Sequence, residues 1–308
     1  MTVNGPIPAS QMGVTLTHEH ILVDFIGADS ISEMRWDKGK VIERVSPFLE
    51  QVKALGCQTF VDATPKYLGR DVLLLKFLSY SSGLNIITNT GLYGAGNNKY
   101  LPFYASAATA DQLAYSWIKE WEDGIEESLA KPGFIKIGVS GDALSDLHRK
   151  LVIAAARTHL KTGLTIASHT GPAILAFEQL DILKKEGVSP EAFIWVHAQS
   201  EKDITNHVKA AKMGAWIGLD GLNENNLEEY VVMIKNMGKN HLLNKVLLSH
   251  DAGWYHPGEE NGGEYRGYTT LFEKLIPLLT KENFSKRDIH KLLVSNPAKA
   301  FTIGVRKI

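Results

Sequence analysis

The stretch VTLTHEH, residues 14–20, places two histidines one residue apart at the end of an apolar run. In an extended strand, side chains at positions i and i+2 point to the same side, so His18 and His20 can converge at the strand's carboxyl end. Imidazole nitrogens that converge suit a transition metal, of which zinc is the first choice. A pair of half-buried or surface histidines is the alternative that this stretch leaves open by itself.

The rest of the chain repeats one unit, a short apolar run followed by a helical pattern. Eight strands are predicted, at Val14–Thr17, Gln58–Asp62, Asn85–Asn89, Phe134–Val139, Thr165–Ser168, Phe193–Val196, Ala215–Gly218 and Lys245–Ser249. The helices between and after them are predicted near Val41–Leu55, Arg70–Ser82, Ala110–Leu129, Leu147–Thr162, Ile174–Lys185, Ile204–Met213, Asn226–Met237 and Tyr268–Leu279.

Strands that alternate with helices imply parallel pairing through helical crossovers. Eight such units predict an α/β fold of the (β/α)8 TIM-barrel type, as one domain over residues 1–308. A doubly wound open sheet is the rival, but it usually carries a glycine-rich phosphate turn after its first strand. Here the first strand ends in His-Glu-His, which favours the barrel.

Composition narrows the class of protein. An apolar fraction of 44% and a charged fraction of 22% are ordinary for a globular chain, and a net charge of −1 indicates neither a nucleic-acid nor a membrane partner. The one cysteine, Cys57, excludes an internal disulfide and predicts a buried, inert thiol. We find no apolar run of about 20 residues and no secretory pattern at the N-terminus. We therefore expect a cytoplasmic protein, unless a leader has been removed.

Metal-competent side chains follow several of the predicted strands. His169 follows strand five, His197 follows strand six, and Asp251 follows strand eight by way of His250. Strand four contains Lys136 within an apolar run, where a charged ammonium is costly unless it is paired or chemically changed. An ion pair, a stem that reaches solvent and carbamylation by carbon dioxide are three explanations that the residues alone leave open.

Motifs over nearly the whole chain resemble those of the phosphotriesterase family of the amidohydrolase superfamily. They are GPIP (5–8), TLTHEH (15–20), VDAT (61–64), GRD (69–71), TGLY (90–93), GFIKIG (133–138), SHT (168–170), VHAQS (196–200), IGLDG (217–221), SHDAGW (249–254) and NPAKAF (296–301). A single His-x-His is a weak signal, whereas five ligand-bearing segments in the right order on eight repeated units are a strong one.

The resemblance implies a binuclear metal centre at the C-terminal face of the strands. His18, His20 and Asp251 would hold the more buried ion, and His169 and His197 the more exposed one. Lys136, as its carbamate formed from carbon dioxide, would bridge both ions together with a hydroxide. The cofactors would be two divalent ions, with zinc as first choice and manganese, cobalt or iron as alternatives.

Such a centre would hydrolyse its substrate by direct attack of the bridging hydroxide. Asp251 would be the catalytic residue that accepts the proton. We expect a lactone or carboxylic ester as substrate, with phosphotriesterase activity as a side reaction. A true phosphotriesterase (aryldialkylphosphatase), a deaminase or amide hydrolase, and a noncatalytic metal- or ligand-binding protein are the alternatives.

Specificity is expected from the loops that follow the strands. Tyr93 matches a tyrosine beside the metals in family lactonases, and Trp254 and Tyr255 are the other predicted substrate contacts. One departure from the family is Gly221, where lactonases often carry arginine and phosphotriesterases histidine. The predicted partner is a small ester, lactone or phosphoester, and Lys99 and Arg266 could reach a phosphate group. A homodimer is expected from the resemblance only.

Other polar residues are expected to play supporting roles. Alternation along the strands points Glu19 and His250 away from the metals, and Asp220 is predicted to support the ligands or to accept a hydrogen bond in the pocket. Solvated or capping positions are expected for His148, His159, His207, His241 and His290.

Overall fold

Short, largely buried strands alternate with helices in a computed structural model that describes all 308 residues. The strands are β1 (Thr15–Leu22), β2 (Thr59–Asp62), β3 (Asn85–Ile87), β4 (Asn89–Thr90), β5 (Phe134–Gly138), β6 (Thr165–His169), β7 (Phe193–Val196), β8 (Trp216–Leu219), β9 (Val246–Leu248) and β10 (Gly253–Tyr255).

The helices cover the outer faces of the strands. They are α1 (Lys38–Ala54), α2 (Val72–Ser82), α3 (Tyr104–Ala107), α4 (Ala110–Asp123), α5 (Asp146–Thr162), α6 (Ala173–Lys185), α7 (Thr205–Met213), α8 (Leu227–Lys239), α9 (Ile276–Lys281), α10 (Lys286–His290) and α11 (Asn296–Phe301). Two π-helical turns, Leu271–Leu275 and Lys291–Ser295, lead into α9 and α11. None of the helices has the length and apolar character that crossing a bilayer requires.

All strand pairs are parallel, in the orders β10-β1-β2-β3 and β4-β5-β6-β7-β8-β9. Only Thr88 separates β3 from β4, so together they form one of the eight strand positions of the barrel. On the other side, β9 lies beside β1, because Asp251 N donates to His18 O at 3.1 Å and Thr17 Oγ1 donates to Leu248 O at 3.1 Å. The predicted TIM-barrel fold is confirmed.

The interior of the barrel is a packed core. Its apolar side chains come from alternate strand positions and from the last helix, for example Phe134, whose ring meets Phe301 with centroids 5.6 Å apart. A larger apolar cluster fills the space between strands and helices. Because apolar side chains fill the interior, the polar side chains lie at the carboxyl ends of the strands, where the site of a barrel enzyme is built.

The main differences from the predicted elements lie at their ends. β1 runs on through His18 and His20 to Leu22, because its second half pairs with β10, a strand that we did not predict. α4 ends at Asp123 rather than Leu129, since Gly124 leaves the helix with φ of +100°. Cys57 is buried as predicted, and burial raises the pKa of its thiol to about 12.

Candidate metal centre

His18 and His20 point to the same side of β1 and meet the carboxylate that follows β9. Asp251 Oδ1 lies 2.9 Å from His20 Nε2 and 3.6 Å from His18 Nε2. Both imidazoles are buried. The predicted convergence of the two histidines is therefore present in the fold, and it includes the predicted carboxylate.

His169 and His197 approach the same point from the neighbouring strands β6 and β7. Their ring centroids are 4.3 Å apart, and the ring of His197 lies 5.2 Å from that of His18. His197 Nε2 is 3.9 Å from Asp251 Oδ2. Both His197 (φ +61°) and Asp251 (φ +52°) adopt the left-handed conformation just past their strands. Such backbone strain is typical of functional sites.

Lys136 lies in β5 between these two groups of ligands. Its side chain is buried, which excludes a stem that reaches solvent. Nζ lies 3.3 Å from His18 Nε2, and the lysine forms no salt bridge with an aspartate or glutamate. Burial lowers the pKa of its ammonium to about 8. Of the three explanations for this lysine, the structure therefore excludes the stem that reaches solvent and shows no direct ion pair.

The donor set fits a metal. Ligand atoms of His18, His197 and Asp251 lie within 4.8 Å of one another, and His20 joins them through Asp251. Imidazole and carboxylate are the ligands of zinc and of the other divalent transition ions. Burial lowers the pKa of His18 to about 4, so its ring is neutral and able to bind a metal at neutral pH.

Asp220, after β8, holds two of these histidines at once. Its Oδ2 lies 3.1 Å from His18 Nδ1, and its Oδ1 lies 2.7 Å from His197 Nδ1. Burial disfavours the charged His197 ring, but the charge and hydrogen bond of Asp220 outweigh it and raise the pKa of that imidazole. The predicted supporting role of Asp220 agrees with this geometry, which leaves both Nε2 atoms facing the site.

The other two histidines are held by hydroxyl groups. Thr64 Oγ1 lies 2.8 Å from His20 Nδ1 and donates its own proton to Leu22 O at 3.2 Å. Tyr93 Oη lies 2.9 Å from His169 Nδ1. No role was predicted for Thr64, although it ends the VDAT motif and lies two residues past β2, at the mouth of the barrel.

A cavity of about 90 Å³ opens above the convergent groups. Tyr93 and Trp254 line it, together with the predicted metal ligands and several apolar side chains: Val23, Phe25, Ala63, Pro65 and Leu68. Tyr255 does not line it. As the next residue of β10 it points the opposite way from Trp254 and lines a separate groove beside α1.

Glu19 and His250 lie on the far side of β1 and β9, as alternation predicts. Glu19 Oε1 accepts from Ser249 Oγ at 2.7 Å and lies 2.6 Å from His250 Nδ1, while Ala252 N donates to its other oxygen at 2.9 Å. This buried network fixes the backbone on both sides of Asp251.

The two loop cations donate to backbone carbonyls, and the space beside Gly221 is occupied. Lys99 Nζ donates to Phe25 O at 2.6 Å, and the Arg266 guanidinium donates to the carbonyls of His250 and Asp251. A Cβ at Gly221 would lie 2.5 Å from Gln199 Nε2. The amide of Gln199 therefore occupies the space into which a side chain at this position would extend.

The expectation of a solvated or capping position is wrong for three other histidines. His148 and His207 are buried rather than solvated or capping, because each contacts the carbonyl oxygen of a neighbouring loop: His148 Nε2 lies 3.1 Å from Gly94 O, and His207 Nε2 lies 2.7 Å from Ala198 O. His159 is also buried and contacts Leu164 O just past its helix. His241 and His290 are exposed.

Curated proteins of known sequence are similar to this chain over nearly its full length. A phosphotriesterase homology protein of Escherichia coli is 29% identical and covers 94% of this chain and 98% of its own. An aryldialkylphosphatase of Saccharolobus solfataricus is 26% identical, with 96% and 97% covered. A phospho-furanose lactonase of Mycoplasmopsis synoviae is 28% identical, with 99% and 92% covered.

A solved structure and a family model agree with these relatives. The structure is an arginine-to-alanine variant of organophosphorus hydrolase from Deinococcus radiodurans. It superposes with a TM-score of 0.88 at 25% identity, over 98% of this chain and 97% of its own. The model of the phosphotriesterase family matches residues 1–301.

Proposed function

The chain belongs to the phosphotriesterase family of hydrolases, and from that premise we propose that it cleaves lactones or related carboxylic esters with two metal ions. The observation that carries the proposal is the convergence of four histidines, one aspartate and one buried lysine at the mouth of the barrel. The relative named as a phospho-furanose lactonase supports a lactone as the substrate class.

Each predicted ligand has a place in such a centre. His18, His20 and Asp251 would hold one ion, and His169 and His197 the other. Lys136 would bridge both as its carbamate, which forms only from the uncharged amine. Burial lowers the pKa of Lys136 to about 8, and this makes the uncharged amine accessible near neutral pH. When bound, two such ions supply a water-derived nucleophile at neutral pH and polarise the substrate's oxygen.

Asp251 is the proton acceptor in this proposal. Burial raises the pKa of its carboxyl group, but the hydrogen bond from His20 and the charges of His18, His20 and His197 outweigh burial and lower it. The carboxylate is therefore ionised at neutral pH, and it faces the cavity. Oδ1 contacts His20, so Oδ2 is the oxygen that takes up the proton and returns it to the leaving group.

The walls of the cavity favour a neutral substrate. Burial raises the pKa of Tyr93, so its phenol stays protonated and can orient a carbonyl or ring oxygen. The loop cations Lys99 and Arg266 are engaged with backbone carbonyls and do not line the cavity. The partner we propose is therefore a small uncharged lactone or ester.

A true phosphotriesterase is the second candidate, and a specific observation favours it. One relative is named as an aryldialkylphosphatase, and a site that stabilises a tetrahedral oxyanion can also stabilise the charge that develops at phosphorus. The two candidates share the metal ligands and differ in substrate preference alone.

Elemental analysis of protein prepared with zinc and bicarbonate, combined with lactone and phosphotriester assays, tests the proposal. We expect about two metal ions per chain, lactone turnover above phosphotriester turnover, and loss of both activities in Lys136→Ala. Lys161→Ala, at an exposed position of α5, is the matched control and should behave as wild type. Metal-free protein, or unchanged activity in Lys136→Ala, would refute the binuclear centre. Faster turnover of triesters than of every lactone would reverse the order of the two candidates.

A further inference from the structure

The cavity at the metal-binding residues is small, and part of its wall is an aromatic ring that also faces solvent. Its volume of about 90 Å³ is far below the roughly 300–1,000 Å³ of pockets that hold drug-sized ligands. Phe25 lines this cavity and is nevertheless 40% exposed. Its ring therefore lies between the buried groups and the outside.

The Phe25 ring packs between two segments, the one that carries Trp254 and His256 and the loop after β4 that carries Tyr100. It packs against Trp254 of β10 with centroids 5.6 Å apart, against Tyr100 after β4 at 6.0 Å, and against His256 at 5.7 Å. Trp254 continues the contact to His20, whose ring lies 6.0 Å from its own. An aromatic layer thus extends from the solvent to the predicted ligand His20.

The backbone around Phe25 is fixed on every side. Val23 N donates to Tyr255 O at 3.0 Å, and Asp24 N donates to Leu68 O at 2.9 Å. Ile26 N donates to the Asp24 carboxylate at 3.1 Å, and Lys99 Nζ donates to Phe25 O at 2.6 Å. With the backbone held in this way, the opening changes by rotation of the Phe25 side chain rather than by movement of the whole loop.

We propose that Phe25 is a specificity gate that limits this site to compact substrates. A lactone ring with a small substituent fits beneath the aromatic layer, whereas a long alkyl substituent has to displace the Phe25 ring and lose its contacts with Trp254 and Tyr100. This inference rests on the proposed lactone or ester hydrolysis. It adds the chemical feature that the site selects, which is the size of the group attached to the ring.

The test compares Phe25→Ala with Ile26→Ala. Ile26 is 41% exposed, on the same turn, and does not line the cavity, so it is a matched control. The measured quantity is the ratio of kcat/KM for γ-decalactone to that for γ-butyrolactone. We expect this ratio to rise about tenfold or more in Phe25→Ala and to stay within about twofold of wild type in Ile26→Ala. An equal ratio in Phe25→Ala and wild type would overturn the gate.

A second measurement does not depend on turnover. 2-Heptylcyclopentanone and cyclopentanone resemble the two lactones but have no ester bond, and their dissociation constants can be measured by ligand-observed NMR. Phe25→Ala should tighten binding of the long ketone by about tenfold relative to the short one. If wild type hydrolyses no lactone, the proposed function fails while this shift still supports the gate. If lactones are hydrolysed and neither ratio changes, the gate alone is wrong.

Discussion

The four histidines of the site fall into two pairs that differ in what holds them. The anion-backed pair, His18 and His197, shares the carboxylate of Asp220 through both Nδ1 atoms. The hydroxyl-backed pair, His20 and His169, is held by the neutral groups of Thr64 and Tyr93. A buried carboxylate holds a ring by charge as well as by hydrogen bonding, whereas a hydroxyl supplies the hydrogen bond alone.

The carboxylate that the anion-backed pair shares also joins the two proposed metal positions. His18 belongs to one proposed ion and His197 to the other, so a single anion orients one ligand of each. The burial of Asp220 would raise the pKa of its carboxyl group, but the charges of His197 and His18 outweigh burial and hold it well below its usual range. The carboxylate thus remains charged throughout the neutral pH range, and the two positions depend on one residue.

The largest expected effect is that of Asp220→Asn. An amide has one acceptor oxygen, so it can hold His18 or His197 but not both, and its NH2 group faces the other Nδ1–H. We expect zinc affinity and kcat/KM to fall by about 100-fold, the upper end for loss of a ligand's hydrogen-bond partner. Zinc retained after dialysis against a chelator is the measurement, with the exposed Asp142→Asn as control. If Asp220→Asn keeps its zinc, the charge of Asp220 does not distinguish the two pairs.

Removing the hydroxyl that holds His20 should have a smaller effect. Thr64→Val keeps the shape of the side chain but leaves His20 Nδ1–H without an acceptor in a buried site. We expect zinc affinity to fall by about tenfold, and Thr64→Ser to restore most of it. Competition with a chromophoric chelator measures the affinity. A loss as large as that in Asp220→Asn would mean that hydroxyl and carboxylate contribute equally.

Lys136 Nζ lies 3.3 Å from Nε2 of His18, a member of the anion-backed pair, and its titration predicts how activation depends on pH. With a pKa lowered to about 8, the uncharged amine rises from about 9% at pH 7 to about 50% at pH 8 and exceeds 90% above pH 9. At constant dissolved carbon dioxide, the initial rate of activation of the metal-free protein should therefore increase about fivefold from pH 7 to pH 8 and then level off. A rate that keeps rising beyond pH 10 would indicate an ordinary lysine.

The fold, and the convergence of polar side chains at one end of the barrel, could be predicted from the sequence because both depend on local patterns. Periods of two and 3.6 residues mark the eight strand–helix units. In a barrel, whatever follows a strand lies at the mouth, so His169 and Asp251 could be placed without knowledge of any loop.

The surroundings of the ligands could not be predicted in the same way. Phe25 reaches the cavity from the turn after β1, whose path depends on contacts with other loops rather than on a repeat. Tyr255 shows the same limit, because the unpredicted strand β10 decides which of two adjacent aromatic residues faces the cavity. The expectation for His148, His159 and His207 was wrong because a histidine on a helix can be buried by a loop that the sequence pattern does not locate.

The smallest expected effect on metal binding is that of Tyr93→Phe. The Tyr93 ring keeps its place by packing on Gly138, where a Cβ would lie 2.7 Å from the ring, and on Tyr100 at 5.9 Å. Phenylalanine preserves both contacts and removes the hydroxyl alone. We expect zinc affinity to change by less than about threefold, because a neutral hydrogen bond to His169 contributes little net stabilisation.

The kinetic constants should respond differently to Tyr93→Phe: KM for lactones should rise more than kcat falls, since the hydroxyl faces the cavity. Tyr100→Phe is the matched control and should leave both constants unchanged. If Tyr93→Phe lost as much metal as Asp220→Asn, a hydroxyl and a carboxylate would contribute equally to zinc affinity. The division of the four histidines into two pairs would then correspond to no difference in binding free energy.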